Sequence, residues 1–102
     1  MVNFDPEVLQ RVGALCRQFH VVRLDLTGSA ARGDFDLARS DVDLLVEFEP
    51  MADVTALSFI ELADALEAVF GRRVDLIEPT AVTNPILREA FLRDRVPFYA
   101  AA

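Results

Sequence analysis

The chain has 102 residues, of which 53% are hydrophobic, and its formal net charge at neutral pH is −7. This length predicts one domain over residues 1–102 with a core of its own, and the acidic balance argues against nucleic acid as a partner, since such binding depends on clustered Lys and Arg. We expect no membrane span and no signal peptide, and the single cysteine, Cys16, is typical of a buried apolar residue in a reducing cytoplasm.

The first part of the chain is predicted to fold as helix, strand and helical turn. The helix begins at Asp5-Pro6, where Asp suits the cap and Pro the first helical position. A strand follows over Val21 to Leu26, and Gly28 ends it. We expect Ser29 to Arg32 to form a short helical turn and residues 33–40 to form a polar loop.

The middle of the chain is predicted to form a strand and a helix. Alternating apolar residues place the strand over Asp41 to Phe48. Ser58 and Glu61 stand at the spacing of a capping box, in front of an amphipathic apolar pattern. Gly71 is expected to close that helix.

The last part adds a third strand over Arg73 to Glu78 and a helix that begins at Asn84-Pro85. Val96 to Tyr99 is expected either to add a short edge segment or to cover the core. The order α-β-α-β-α-β-α predicts an α/β (α+β) domain. Its architecture is a small three-stranded mixed β-sheet with helices packed mainly on one face and polar strand residues on the other.

Two aspartates, Asp41 and Asp43, stand one residue apart at the start of the second predicted strand. Side chains alternate between the faces of a strand, so both carboxylates point the same way. Like charges in this arrangement favour a cation between them, and Mg²⁺ takes one or two carboxylates together with water and phosphate oxygens. The alternative is that both aspartates are solvated or cap a turn at the mouth of the strand.

Asp75 is a third candidate, because it lies between Val74 and Leu76 on the opposite face of the third strand. If the second and third strands are neighbours, Asp75 stands beside the aspartate pair. Three carboxylates can hold two metal ions about 4 Å apart, the arrangement of in-line phosphoryl displacement. Taken alone, Asp75 is also compatible with a solvent-facing acid.

The segment Gly28-Ser29 connects a predicted strand to a predicted helical turn. Backbone N–H groups at such a junction can hold a triphosphate, although the dipeptide is also a common structural turn. Arg32 follows on the same turn and can donate to phosphates or pair with a nearby aspartate. Ser40 is equally compatible with a cap at the start of the strand and with phosphate binding.

His20, the only histidine, lies at a junction of helix and strand and is expected to be structural. The sequence contains no cluster of Cys and His residues, so it offers no zinc site. The spacing of Ser, His and Asp residues gives no support to a nucleophilic triad.

The run Gly28-Ser29-Ala30-Ala31-Arg32-Gly33-Asp34, followed by Ser40-Asp41-Val42-Asp43-Leu44-Leu45-Val46, resembles the signature of the minimal nucleotidyltransferases in the DNA polymerase β-like superfamily. The later Val74-Asp75-Leu76 is similar to the third acidic strand of that family. The resemblance covers nearly the whole chain. The chain departs from the family pattern at Thr27, where a large aromatic is usual, and at Asp25, where an apolar or aromatic residue is usual.

The resemblance implies the polymerase β-like fold and Mg²⁺-dependent transfer of a nucleoside monophosphate, most simply AMP from ATP, to an acceptor hydroxyl. Gly28 and Ser29 would hold the β- and γ-phosphates, while Asp41, Asp43 and Asp75 would ligate two Mg²⁺ ions. Asp75 could also help to deprotonate the acceptor. Stand-alone members of the family resemble antitoxins paired with a HEPN-type ribonuclease toxin, and some adenylylate a tyrosine of that toxin.

Three functional hypotheses follow. The first is a protein adenylyltransferase that acts as the antitoxin of a toxin–antitoxin pair. The second is an antitoxin that blocks its partner by binding alone, and the third is a nucleotidyltransferase for a small molecule. Apolar helix surface would serve either a homo-oligomer or a toxin interface.

Overall fold

The computed structural model of the chain describes residues 5–27 and 41–101. The predicted helical turn over Ser29 to Arg32 and the polar loop after it lie outside these residues. The elements are α1 (Pro6–Gln18), β1 (Val21–Thr27), β2 (Val42–Phe48), α2 (Ala56–Phe70), β3 (Val74–Ile77), a 3₁₀ turn (Pro79–Ala81), α3 (Pro85–Arg93) and β4 (Val96–Ala100). None of the helices in the described ranges is long and apolar enough to cross a membrane.

The strands form a mixed sheet in the order β3-β2-β1-β4. β1 pairs antiparallel with both β2 and β4, whereas β2 and β3 are parallel. The mixed sheet is confirmed, but the predicted number of three strands is wrong, because Val96–Ala100 pairs with β1 as a fourth strand. Pro97 interrupts the strand pattern of this segment, and a strand with proline is tolerated where it lies at the edge of a sheet.

α1 and α2 pack on one face of the sheet and bury the core there. The buried members of this core are Val12, Cys16, Val21, Leu24, Leu26, Val42, Leu44, Val46, Leu62, Leu66 and Val74. The prediction of a buried Cys16 is confirmed, and burial raises the pKa of its thiol to about 12 against a smaller opposing effect of Arg17. Cys16 therefore stays protonated and contributes to packing rather than to reactivity.

α3 lies on the other face of the sheet, so the helices are mainly, but not all, on one side. Thr27 is buried and alternates with the core residue Leu26, which directs its side chain to the face opposite the core. Its hydroxyl Oγ1 donates to the carbonyl oxygen of Phe91 in α3 at 3.1 Å. This hydrogen bond joins α3 to the end of β1.

The helix starts agree with local capping chemistry. Asp5 and Asn84 cap α1 and α3, as predicted, by accepting hydrogen bonds from N–H groups of the first helical turn. The prediction of Ser58 and Glu61 as the capping box of α2 is wrong. The N-cap is Thr55, whose Oγ1 accepts from the N–H of Ser58 at 3.1 Å, while the Oγ of Ser58 accepts from the N–H of Thr55 at 3.0 Å. The helix therefore begins before Ser58, which serves as the reciprocal partner.

Gly71 ends α2 as predicted, with φ at 69°, and its N–H donates to the carbonyl of Glu67 at 2.8 Å. A Cβ at this position would meet no atom within 4 Å, so a side chain would cost only backbone strain. We expect Gly71→Ala to lower the free energy of unfolding by about 1 kcal/mol. Gly71→Asn should cost less, because Asn tolerates left-handed backbone. Urea denaturation of both variants measures this, and an alanine variant as stable as the wild type would contradict it.

The hydroxyl of Thr27 gives a second prediction. Thr27→Val keeps the shape of the side chain but leaves the Phe91 carbonyl without its donor, so we expect a loss of about 1–2 kcal/mol in the free energy of unfolding. Thr80→Val, at an exposed threonine of the 3₁₀ turn, is the matched control and should change stability little. Equal stability of the two variants would show that the hydrogen bond does not hold α3 in place.

Candidate active site

Asp43 and Asp75 are direct partners in the register of β2 and β3. These strands are neighbours, as the prediction for Asp75 required. Residues paired across two strands direct their side chains to the same face of the sheet. Thr27 of β1 is the partner of Asp43 on its other side. The backbone thus places Thr27, Asp43 and Asp75 in one row across three strands.

Asp41 directly precedes β2 and is exposed. The prediction that the strand includes Asp41 is wrong by one residue, because β2 begins at Val42. The N–H of Val42 donates to the carbonyl of Arg73, the residue before β3, at 2.9 Å. β1 ends at Thr27 at the same end of the sheet at which β2 and β3 begin. Asp41 therefore stands at the end of the sheet that carries the Asp43–Asp75 pair.

A cavity of about 480 Å³ opens beside the paired aspartates. Its polar lining comes from Asp43 and Asp75, and its apolar walls include Phe59 and Ile60 of α2 and Phe91 of α3. Apolar walls reduce the screening of charge, so they strengthen the attraction between these carboxylates and a cation. Asp43 is half-buried, whereas Asp75 is exposed and accessible from solution.

The donor set of this cavity fits a magnesium ion. Carboxylate oxygens are the ligands that Mg²⁺ prefers, and sites that it shares with a nucleotide use one or two of them. Within residues 5–27 and 41–101, no group of three or more His, Cys, Asp or Glu side chains is arranged to hold a metal ion. The roles of Asp41, Asp43 and Asp75 as metal ligands and catalytic residues therefore stay predictions.

The other candidate residues fall into two groups. Gly28, Ser29, Arg32 and Ser40, which were predicted to bind the nucleotide, lie outside the described residues. His20 lies in the turn between α1 and β1, exposed, with its Nδ1 at 3.6 Å from a carboxylate oxygen of Glu49. This is the opposite end of β1 from Thr27, so His20 is not part of the candidate site.

Sequence reasoning missed a polar cluster on the same face of the sheet as the site residues, two positions along β1 from Thr27. Asp25 is 2% exposed and accepts hydrogen bonds from the Nε of Arg23 at 2.8 and 3.0 Å. Arg95, just beyond α3, places its guanidinium 3.8 Å from the same carboxylate. The spacing of Arg23 and Asp25 was an available signal, because residues i and i+2 of a strand lie on one face.

Comparisons with known proteins agree with this geometry. The family model of the nucleotidyltransferase domain matches residues 10–98. The protein adenylyltransferase MntA of Thermococcus cleftensis is 39% identical over 74 residues, which cover 72% of each chain. A solved structure described as a minimal nucleotidyltransferase is 37% identical and superimposes with a TM-score of 0.73 over 95% of this chain and 99% of that one.

A more distant solved structure shows the same fold. It is the complex of a tri-AMPylated Shewanella oneidensis HEPN toxin with its MNT antitoxin, and the likeness has a TM-score of 0.65 at 16% identity over 93% of this chain and 71% of that one. Together with the paired aspartates of β2 and β3, the family model and the close relatives assign the chain. It belongs to the nucleotidyltransferase domain family and, within it, to the minimal nucleotidyltransferases.

Proposed function

We propose that this chain transfers AMP from ATP to a hydroxyl of a HEPN-type partner protein and thereby acts as its antitoxin. The observation that carries the proposal is the register of β2 and β3, which sets Asp43 and Asp75 side by side at a cavity. The names of the relatives support it, because one is a protein adenylyltransferase and another was solved with an AMPylated HEPN toxin. A reducing cytoplasm suits the free, buried Cys16.

In this proposal Asp41, Asp43 and Asp75 would hold two Mg²⁺ ions. Bound magnesium neutralises charge on the phosphates and favours displacement at phosphorus. Gly28 and Ser29 would bind the β- and γ-phosphates, with Arg32 and Ser40 as further donors to the triphosphate. The apolar walls beside Asp43 reduce the screening of charge around the reacting groups.

The transfer itself joins two simple changes at the α-phosphorus. The acceptor hydroxyl oxygen forms a bond to phosphorus while the bond to the pyrophosphate oxygen breaks, and pyrophosphate leaves. The proton of the hydroxyl passes to Asp75, whose exposed carboxylate can return it to solvent. An exposed Asp75 at an open cavity also lets an acceptor on a separate protein reach the site.

Replacement of either site aspartate by asparagine, which has nearly the same shape, tests the proposal. Asp43→Asn and Asp75→Asn remove a charge that the metal and the proton transfer require, so we expect each to reduce label transfer by about 100-fold or more. The measurement mixes the protein with ATP radiolabelled in its α-phosphate, Mg²⁺ and a candidate HEPN-type partner protein, and follows label on that protein. EDTA should abolish the signal.

Asp64→Asn is the matched control, because Asp64 is an exposed aspartate of α2 that does not line the cavity. It should transfer label at the rate of the wild type. If the partner binds but takes up no label, and both site variants still neutralise it, the chain acts by binding alone. Label on a small hydroxyl compound in place of protein would instead identify a small-molecule nucleotidyltransferase.

A further inference from the structure

A second cavity, of about 570 Å³, continues from the candidate active site along the outer edge of β3. The two cavities share Phe59 and Ile60 of α2 and Leu76 and Ile77 of β3. The second cavity extends to Ala81 and Val82, at and just beyond the 3₁₀ turn. We call the surface formed by these six residues the β3 groove. Its position connects the Asp43–Asp75 pair to open protein surface.

β3 is an edge strand, and its outer main-chain groups point away from β2 on the side of this groove. The carbonyl of Arg73 accepts a hydrogen bond from the N–H of Val42 in β2. The main-chain N–H and C=O groups of Asp75 and Ile77, at alternate positions of the same strand, therefore also point toward β2. The N–H and C=O of Val74 and Leu76 point outward instead. The N–H of Val74 donates to the carboxylate of Glu67 at 3.0 Å. For Leu76, no hydrogen bond joins these outward groups to another residue in the described ranges.

The wall of the β3 groove presents apolar surface to solvent. Ile60 is 55% exposed, and Leu57, which precedes it by one helical turn, is 65% exposed. An edge strand with free main-chain groups beside exposed apolar side chains is a template for pairing with another extended chain. The combination therefore indicates a binding surface for extended polypeptide.

The charge of the two cavities selects the kind of polypeptide. Their charged lining residues are Asp43, Asp75 and Glu78, and neither Lys nor Arg is present among the described residues of this lining. A basic segment complements this surface, whereas an acidic segment is repelled. The net charge of −7 adds to the same preference at longer range.

We propose that the β3 groove docks an extended segment of the acceptor protein that carries basic and apolar side chains. The main chain of the segment pairs with Leu76, and its apolar side chains pack on Ile60. A residue of an added strand that lies opposite Asp75 directs its side chain to the same face as Asp75. Docking thus presents the acceptor hydroxyl to the candidate active site. This inference rests on the proposed function, since it names the surface that receives the acceptor.

The test replaces an apolar contact by a charge that repels a basic segment. Ile60→Lys should raise the Kd for the HEPN-type protein of the label-transfer assay by about tenfold, and should raise the KM for that protein to a similar extent. Ile86→Lys is the matched control, because Ile86 is 80% exposed on α3 and outside the groove. It should leave both quantities at the wild-type values. Isothermal titration calorimetry gives Kd without any need for turnover.

A second variant covers the case in which Ile60→Lys does not fold. Glu78→Lys reverses the charge of a residue that lines the second cavity and should raise the same Kd several-fold. Glu89→Lys, at an exposed glutamate of α3 outside both cavities, should not. Rising salt should weaken wild-type binding more than binding of the Glu78→Lys variant. Salt screens the attraction between acidic groups and a basic segment, and the variant has one fewer of these acidic groups. Circular dichroism confirms that each variant compared is folded.

The outcomes separate the two proposals. Label transfer by the wild type with unchanged Kd and KM in both groove variants would overturn the docking surface and leave the proposed function standing. Binding without label would overturn the adenylyl transfer, and the Kd series would still decide the docking surface. No binding by the wild type would overturn both. A wild-type dimer that Ile60→Lys separates into monomers would assign the groove to a second copy of the chain and overturn an acceptor site.

Discussion

The register between β2 and β3 is the constraint on which the candidate site depends. A slip of one residue would turn Asp75 toward the core and expose Val74 and Leu76. Val74 is 6% exposed and pairs with the fully buried Val42, so the core opposes this slip. Burial contributes roughly 1.5–3 kcal/mol for each such side chain, and a slip would expose both Val74 and Leu76. Repulsion between two carboxylates about 4 Å apart costs about 1 kcal/mol in bulk water and about 4 kcal/mol near a protein surface. Hydrophobic burial therefore determines the arrangement of the acidic groups.

The two departures from the family pattern are accommodated by polar contacts with α3, with Arg23 of β1 and with Arg95. Thr27 is buried with its hydroxyl bonded to the Phe91 carbonyl, and Asp25 is buried against Arg23 and Arg95. Buried polar groups need such partners, because an unpaired one costs several kcal/mol. Polar contacts here fix α3 to β1, and they do so beside the site, where Phe91 lines the cavity. Both departures thus lie among the polar contacts next to the site face of the sheet.

Local patterns were enough to predict the elements that carry the site. Alternating apolar residues located β2 and β3, and aspartate at two positions of those strands marked the face opposite α1 and α2. The features missed depend on distant contacts or on a competing cap. β4 contains Pro97 and is a strand because β1 lies beside it, and α2 starts before Ser58 because Thr55 caps it. The sequence pattern does not reveal that α3 crosses the site face, since its contacts with β1 join residues 64 positions apart.

The strand order leaves β3 at the edge of the sheet, next to the candidate site. Free sheet edges promote self-association, and proteins limit this with short strands and charged side chains. β3 has only four residues, and the carboxylates of Asp75 and Glu78 lie along it. Two copies paired through this edge would bring these like charges together, which opposes self-association. A basic segment from another protein meets no such repulsion, so the acidic groups that suit a metal site also favour a heterologous partner at the edge.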